Sequence, residues 1–344
     1  MKRRTFLEAA LAAAAVAPLA RPASAAEEAE LYAGAKAEGQ VTWYTAHFDT
    51  QTAESTGNAF SQKYPGIRAN VVRTTAQVAY QRLSQDLKTG IAECDVFSST
   101  DLGHYARLKP MGVFLKYTAP NAGQLLPQFK DIDPDGEYFV TSAGLICITY
   151  NKDKVKESEA PKNWPDLLDP KWKDQISVGH PGFSGYVGTW VVEMRKLYGW
   201  EYFEKLRAND PQVGRSINDT VTMLNSGERS VAAGPEATTL ESAARGNPLG
   251  VIYPSDGALL MVSPSAVMKN SRRPNAAKLF MNFLMSQEAS EVLVRNFSPP
   301  VVPGVAPAPG AKPIAAVKTI RPTADEITAG IPEVIKRWRD TFGA

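Results

Sequence analysis

Apolar and polar positions along this chain switch between a period of two and a period of about 3.6, and the switches mark out most of its elements. Val41-Thr42-Trp43-Tyr44-Thr45-Ala46 is β-rich on both faces, as a strand buried inside a parallel sheet must be. Ala53, Gly57, Phe60 and Tyr64 follow at helical spacing until Pro65-Gly66 stops the helix. The pattern predicts a second strand over 67–74, a second helix through Ala76, Ala79, Leu83 and Leu87 closed by Gly90, a third strand over 95–98 and a helix from Leu102. Three β-α units in succession predict an α/β fold with a doubly wound sheet.

Two apolar runs then break the alternation. Phe139 to Asn151 is too long for one ordinary strand, and Val251 to Val267 is a second such run interrupted at Pro254-Ser255-Asp256-Gly257. Both are expected to cross between two lobes. Between them a second alternation predicts helices at 185–197 and 200–207, a strand near Val213, a helix at 220–224, a strand at 230–233 and a helix at 238–245. Pro274 should open one helix whose Ala276, Leu279, Phe280, Phe283, Leu284, Val292 and Leu293 make a wide face that packs on the first lobe. Ser298 to Pro313 reads as a Pro-rich linker laid over the surface, and 325–342 as a terminal helix.

The first 25 residues stand apart from this pattern. Lys2-Arg3-Arg4-Thr5-Phe6-Leu7 precedes a weakly apolar Ala-rich run, and Ala23-Ser24-Ala25 closes it. That order predicts a twin-arginine export signal over 1–25 and a periplasmic mature protein. The expected lobes are 26–143 with 258–344, and 144–257. The whole chain carries a net charge of +2, and the leader holds Lys2, Arg3, Arg4 and Arg21 against Glu8, so the mature part is close to neutral. Near-neutrality argues against nucleic-acid binding. The two cysteines, Cys94 and Cys147, sit in apolar strand-like stretches without metal spacing; buried free thiols are the plainer reading and a bridge between them the alternative.

Ligands of open α/β sheets sit at the carboxyl ends of strands, where helix N-termini converge. The expected strand ends offer Thr45 and His47, Thr75, and Ser99 with Thr100, each at the start of a helix, where hydroxyls and free N–H groups receive anions. In the second lobe Ser184-Gly185 ends a Gly-rich turn, Asn218 opens another helix, and Glu236 and Tyr253 lie near strand ends. His47 and His180 each follow a strand end; His104 reads as a surface or cap residue. No nucleophile elbow, Walker sequence, dinucleotide fingerprint or H-E-x-x-H is present.

Several stretches resemble the substrate-binding proteins of ABC transporters. They are Val41 to Ala46, Asp95-Val96-Phe97-Ser98-Ser99, Tyr150-Asn151-Lys152-Asp153, the block Pro161 to Lys173 with Trp164 and Trp172, Tyr198-Gly199, and Tyr253-Pro254-Ser255-Asp256-Gly257. The resemblance is to the ferric-iron-binding branch of the type II periplasmic fold, whose relatives take thiamine, phosphonates, sugar phosphates or polyamines. It implies two lobes with two hinge crossings and a permease as partner. Iron-binding members use adjacent tyrosines after the strand that here reads Ser230-Val231-Ala232-Ala233; this chain has Gly234-Pro235-Glu236-Ala237-Thr238 there and no Tyr-Tyr pair anywhere.

The expectation is therefore a monomeric, cofactor-free and non-enzymatic binder of a small anionic solute: a phosphate ester, phosphonate or carboxylate. Hydroxyls and N–H groups would hold the anion, and His47 and Glu236 would discriminate what is attached to it. A metal binder of the same fold using His47, Glu236 and Tyr253 is one alternative. A periplasmic hydrolase or transferase with His180 or His47 as base is the other.

Overall fold

A computed structural model describes residues 23–343, with side chains from Glu27 onward. Residues 1–22 of the expected export signal lie outside the described residues. Helix α1 (Ala23–Glu38) leads into β1 (Gln40–Thr45), α2 (Thr50–Lys63), β2 (Arg68–Arg73), α3 (Ala76–Thr89), β3 (Val96–Ser98) and α4 (Leu102–Leu108). The three expected β-α units thus form, and β1 pairs parallel with β2 on one side and β3 on the other.

The long strand β4 (Tyr138–Asn151) opens the second half, followed by β5 (Ile176–Gly179), α5 (Gly185–Tyr198), α6 (Glu201–Ala208), β6 (Gln212–Gly214), α7 (Asp219–Asn225), β7 (Val231–Pro235), α8 (Glu236–Ala244) and β8 (Leu249–Ile252). The chain returns through β9 (Ala258–Val267) and ends with α9 (Pro274–Leu284), α10 (Gln287–Arg295), β10 (Thr319–Ile320) and α11 (Ala324–Phe342). Strand β4 is about 46 Å long at 3.3 Å per residue. Its first half pairs with β9, from Tyr138 opposite Ala266 to Ile146 opposite Leu259, and its second half with β7 and β8. The sheets of both lobes are thereby joined in one continuous order, β2-β1-β3-β9-β4-β7-β5-β6.

Each lobe has its own core. In the first, Trp43, Phe60, Phe280 and Phe283 meet edge to face, with Phe280 5.2 Å from Trp43 and 4.9 Å from Phe60. In the second, Trp164, Trp190, Phe203 and Trp338 do the same at 5.6 to 5.8 Å. The motif stretches Trp164, Tyr198 and Asp256 meet beside that core: Asp256 accepts from the Trp164 amide at 3.0 Å and from the Tyr198 hydroxyl at 2.6 Å. Both cysteines are free and buried.

Four expectations need correction. The run 251–267 is two strands, because the Pro254–Gly257 turn ends β8 on the second lobe and only β9 crosses. The helix from Pro274 breaks at Met285-Ser286, where the Ser286 hydroxyl caps α10 by accepting from the Ala289 amide at 3.1 Å. The Pro-rich stretch is not merely a surface layer: Val301 and Val302 are buried in the first core, and the Val301 carbonyl accepts from the Leu126 amide. Assigning 258–344 wholly to the first lobe fails for α11, which buries Ile327, Ile331, Val334 and Trp338 in the second core.

Trp338 sits fully buried among His180, Phe203 and Phe342. Trp338→Ala should destabilise the second lobe by about 3–5 kcal/mol, read as a lower urea midpoint. A loss under about 1 kcal/mol would mean that α11 is not integral to that core.

Candidate functional site

A cavity of about 60 Å³ lies between the lobes, against the hinge strand β4. From the first lobe it is lined by His47, Asp49, Thr52, Arg73, Thr75 and Thr100, and from the second by Ser184, Tyr186, Ser216, Asn218 and Thr238; Asn296 and Ser298 close one side. Among the expected site residues, His47, Thr75, Thr100, Ser184 and Asn218 thus meet in one place. They do so because α2, α3, α5 and α8 all begin at this cavity, as strand-to-helix turns in an open α/β sheet dictate.

Helix starts direct N–H groups and the positive ends of their dipoles inward. At α2 the Asp49 carboxylate fills the cap, accepting from the Thr52 amide at 2.7 Å. At α5 the Ser184 hydroxyl accepts from the Val187 amide at 3.4 Å. At α3 and α8 the cap residues, Thr75 and Pro235, make no side-chain cap bond. The Thr75 Oγ1 is buried and has no partner at all. A hydroxyl and two uncapped helix starts around a closed space make a receptor for an anion's oxygens.

Arg73 supplies the cation. Its Nε donates to the Phe48 carbonyl at 2.6 Å, which orients the guanidinium beside the cavity. Burial lowers its pKa, and the nearby Asp49 and Asp219 oppose that shift and hold the charge. Sequence reasoning passed over Arg73, although it stands at the end of the second strand beside Thr74 and Thr75; a lone cation among strand-end hydroxyls was the available signal. Asp49, Thr52, Tyr186, Ser216, Thr238 and Asn296 carried no such signal.

Thr45 and Ser99 are placed elsewhere. Thr45 is fully buried, and its Oγ1 accepts from the His47 amide at 3.3 Å. Ser99 turns inward, with its Oγ 2.7 Å from His104 Nδ1, while His104 Nε2 lies 3.2 Å from Asp101 Oδ2. His104 is therefore buried, stacked on Tyr80 at 4.2 Å, and not the surface or cap residue expected. This Ser-His-Asp arrangement has all three members at or below 1% exposure, so its hydroxyl meets no solute; it braces the turn that carries Thr100. His180 accepts from the Gly182 amide at 2.9 Å and shapes the turn before α5.

Gly185 contributes closeness. A Cβ there would stand 2.7 Å from the Thr100 carbonyl carbon and 2.8 Å from the Asp101 nitrogen, so only a glycine lets α5 abut the first-lobe backbone. Gly144 on β4 similarly admits the Tyr186 hydroxyl, which would lie 2.5 Å from a Cβ.

Glu236 and Tyr253 sit behind α8. Successive residues at a helix start diverge by about 100°, so Ala237 and Thr238 face the cleft while Glu236 faces a second cavity of about 500 Å³ under the Pro-rich stretch. The Tyr253 hydroxyl donates to Glu236 and accepts from the Lys312 amide at 3.0 Å. The alternative metal set of His47, Glu236 and Tyr253 is thus divided between two cavities, and no cluster of three His, Cys, Asp or Glu residues able to hold a metal occurs among the described residues.

A family model described as "Bacterial extracellular solute-binding protein" matches residues 94–318. A putative 2-aminoethylphosphonate-binding periplasmic protein of Salmonella typhimurium is 24% identical over 318 residues, covering 88% of each chain. An uncharacterized protein of Haemophilus influenzae is 22% identical over 267 residues, 75% of this chain and 76% of its own length. Among solved structures, the periplasmic binding protein AfuA of Actinobacillus pleuropneumoniae with fructose-6-phosphate bound superposes with a TM-score of 0.80 at 22% identity, over 89% of this chain and 99% of that one. Iron-bound HitA of Pseudomonas aeruginosa gives 0.75 at 22% identity, over 88% and 99%. These likenesses show the two-lobed type II fold.

Gly185→Ala should hold the lobes apart. Any solute that shrinks the wild-type radius of gyration in small-angle scattering should fail to shrink the variant; equal contraction would remove Gly185 from closure. Glu236 gives a pH test. Burial raises its carboxyl pKa from 4.5 to about 7, with the Tyr253 hydrogen bond opposing. The folded chain then holds more protons than the unfolded one between these values, so stability falls as pH rises through that window. Glu236→Gln should flatten this fall by up to about 3 kcal/mol, read from urea midpoints at pH 5 and pH 8; an unchanged slope would refute the assignment.

Proposed function

This chain belongs to the family of bacterial extracellular solute-binding proteins, and from that premise we propose that its cleft closes over a small anionic solute and delivers it to the permease of an ABC importer. It works in the periplasm. The solute is a phosphate ester, phosphonate or carboxylate, and the chain acts on it as a monomer without chemical change. Names of relatives that mention aminoethylphosphonate and fructose-6-phosphate support this class. One observation carries it: the uncapped starts of α3 and α8, the unpartnered Thr75 hydroxyl and Arg73 all line one cavity between the lobes.

A closed space of this size takes a phosphoryl or carboxyl head, and a bulkier remainder requires the lobes to stand wider apart. The hydrolase alternative is disfavoured at both of its bases: burial drives the His47 pKa down to about 3, against two backbone carbonyls that raise it, which leaves a weak base, and the Nδ1 of His180 is taken by the Gly182 amide. The lobes expected at 26–143 with 258–344, and at 144–257, open and close about β4 and β9, with α11 moved to the second.

In a thermal-shift panel of inorganic phosphate, 2-aminoethylphosphonate, fructose 6-phosphate and citrate, a solute at 100 times its dissociation constant should add roughly 2.7 kcal/mol of stability. Arg73→Ala should weaken the best solute by about 1.5–3 kcal/mol, and Thr75→Ala by about 1 kcal/mol, in titration calorimetry. Flat melting curves across the panel, or unchanged affinity in both variants, would overturn the assignment.

A further inference from the structure

The cavity presents acceptors as well as donors. His47 lies 95% buried on its rim, with its Nε2 3.0 Å from the Pro264 carbonyl oxygen. A carbonyl can only accept, so Nε2 carries the proton. The ring is neutral, since burial holds its pKa far below the working range. Its other nitrogen, Nδ1, is then a bare lone pair, and it is buried without a partner. A buried acceptor facing an anion's oxygen is repelled unless that oxygen bears a hydrogen.

We propose that His47 selects the protonation state of the solute: its Nδ1 accepts a hydrogen bond from an acidic P–OH, so the cleft takes phosphate and phosphonate heads and rejects sulfate and sulfonate heads. This rests on the reading that the cleft holds an anion, and it names which anions. Phosphate monoesters have a second pKa near 6, so about a quarter of the molecules keep one acidic hydrogen at pH 6.5 and about a tenth at pH 7. Sulfate has the same tetrahedral shape and no such hydrogen. The other charged groups lining the cavity are Asp49, itself an acceptor engaged with the Thr52 amide, and Arg73, which Asp219 also approaches. Asp49 adds to the demand for a donor on the solute, and Arg73 with the helix starts meets the remaining oxygens. Glu236 titrates near neutrality but faces the other cavity.

The test uses inorganic phosphate and sulfate as probes in titration calorimetry at pH 6.5, with wild type, His47→Phe and His47→Gln. Wild type should bind phosphate at least roughly 30-fold more tightly than sulfate, about 2 kcal/mol of discrimination. His47→Phe keeps a ring of similar size and removes the acceptor, so the ratio should fall to within about threefold, a difference under 1 kcal/mol. His47→Gln restores an acceptor and should recover part of the preference, which a general loss of fold would not. Equal binding of sulfate by wild type overturns the proposal while leaving the anion reading intact. Sulfate binding with uptake of one proton also overturns it, because His47 would then be the donor. Should His47→Phe fail to fold, His47→Leu takes its place as the variant without an acceptor, and a phosphate preference undiminished in it overturns the proposal. Failure of both probes to bind wild type overturns this proposal, and the anion reading falls with it only where the melting curves with 2-aminoethylphosphonate, fructose 6-phosphate and citrate are flat as well.

Discussion

The antiparallel pairing of β4 with β9 is the constraint on which the rest depends. From Tyr138–Ala266 to Ile146–Leu259 the two strands share one ladder, and β4 then continues alone into the second lobe to pair with β7 and β8. Every residue of β9 is buried and nearly every residue of β4, so neither strand can slip by one position without turning a whole face of side chains out of register. The ladder therefore fixes where the carboxyl ends of β1, β2 and β3 stand relative to those of β5, β6 and β7. The cleft is the gap between those two sets of ends.

Closeness across that gap decides its electrostatics. Gly185 lets the start of α5 touch the backbone at Thr100 and Asp101, which narrows the space that Arg73, Thr75 and His47 share. In so narrow a space between two lobes helix dipoles and a single guanidinium act more strongly than in bulk water, and an unpartnered buried hydroxyl or imidazole nitrogen is costly until a solute pairs it. Thr75 Oγ1 and His47 Nδ1 are both left in that condition. One is able to donate and the other is not, so together they ask for a solute that offers both kinds of group.

Much of this was legible along the chain. The β-α alternation, the two long apolar runs and the turns at Thr75, Thr100, Ser184 and Asn218 follow from periodicity and cap chemistry, which are local. The motif block around Trp164 was legible as a likeness, and in space its meaning is the Asp256 carboxylate tying Trp164 to Tyr198. Ser99 and Thr100 show the limit: neighbours on an extended chain face opposite ways, and which of them reaches the cleft depends on His104 receiving the other. Glu236 failed for the helical version of the same reason, being the residue whose direction at the start of α8 leads away from its neighbours.

By itself the sequence determined which segments become strands and helices, that the chain has two lobes joined by long apolar strands, and that the helix starts at strand ends offer hydroxyls and N–H groups. These properties depend on side-chain period, turn residues and backbone valence within a few positions. Only the tertiary structure decided that Arg73 serves the cleft, that Glu236 faces another cavity with Tyr253 bonded to it, that α11 packs in the second core, and that His47 keeps its hydrogen on the nitrogen facing Pro264. Those outcomes turn on which groups are packed together without water, and a buried polar atom's role is set by the partner that the remote part of the chain brings to it.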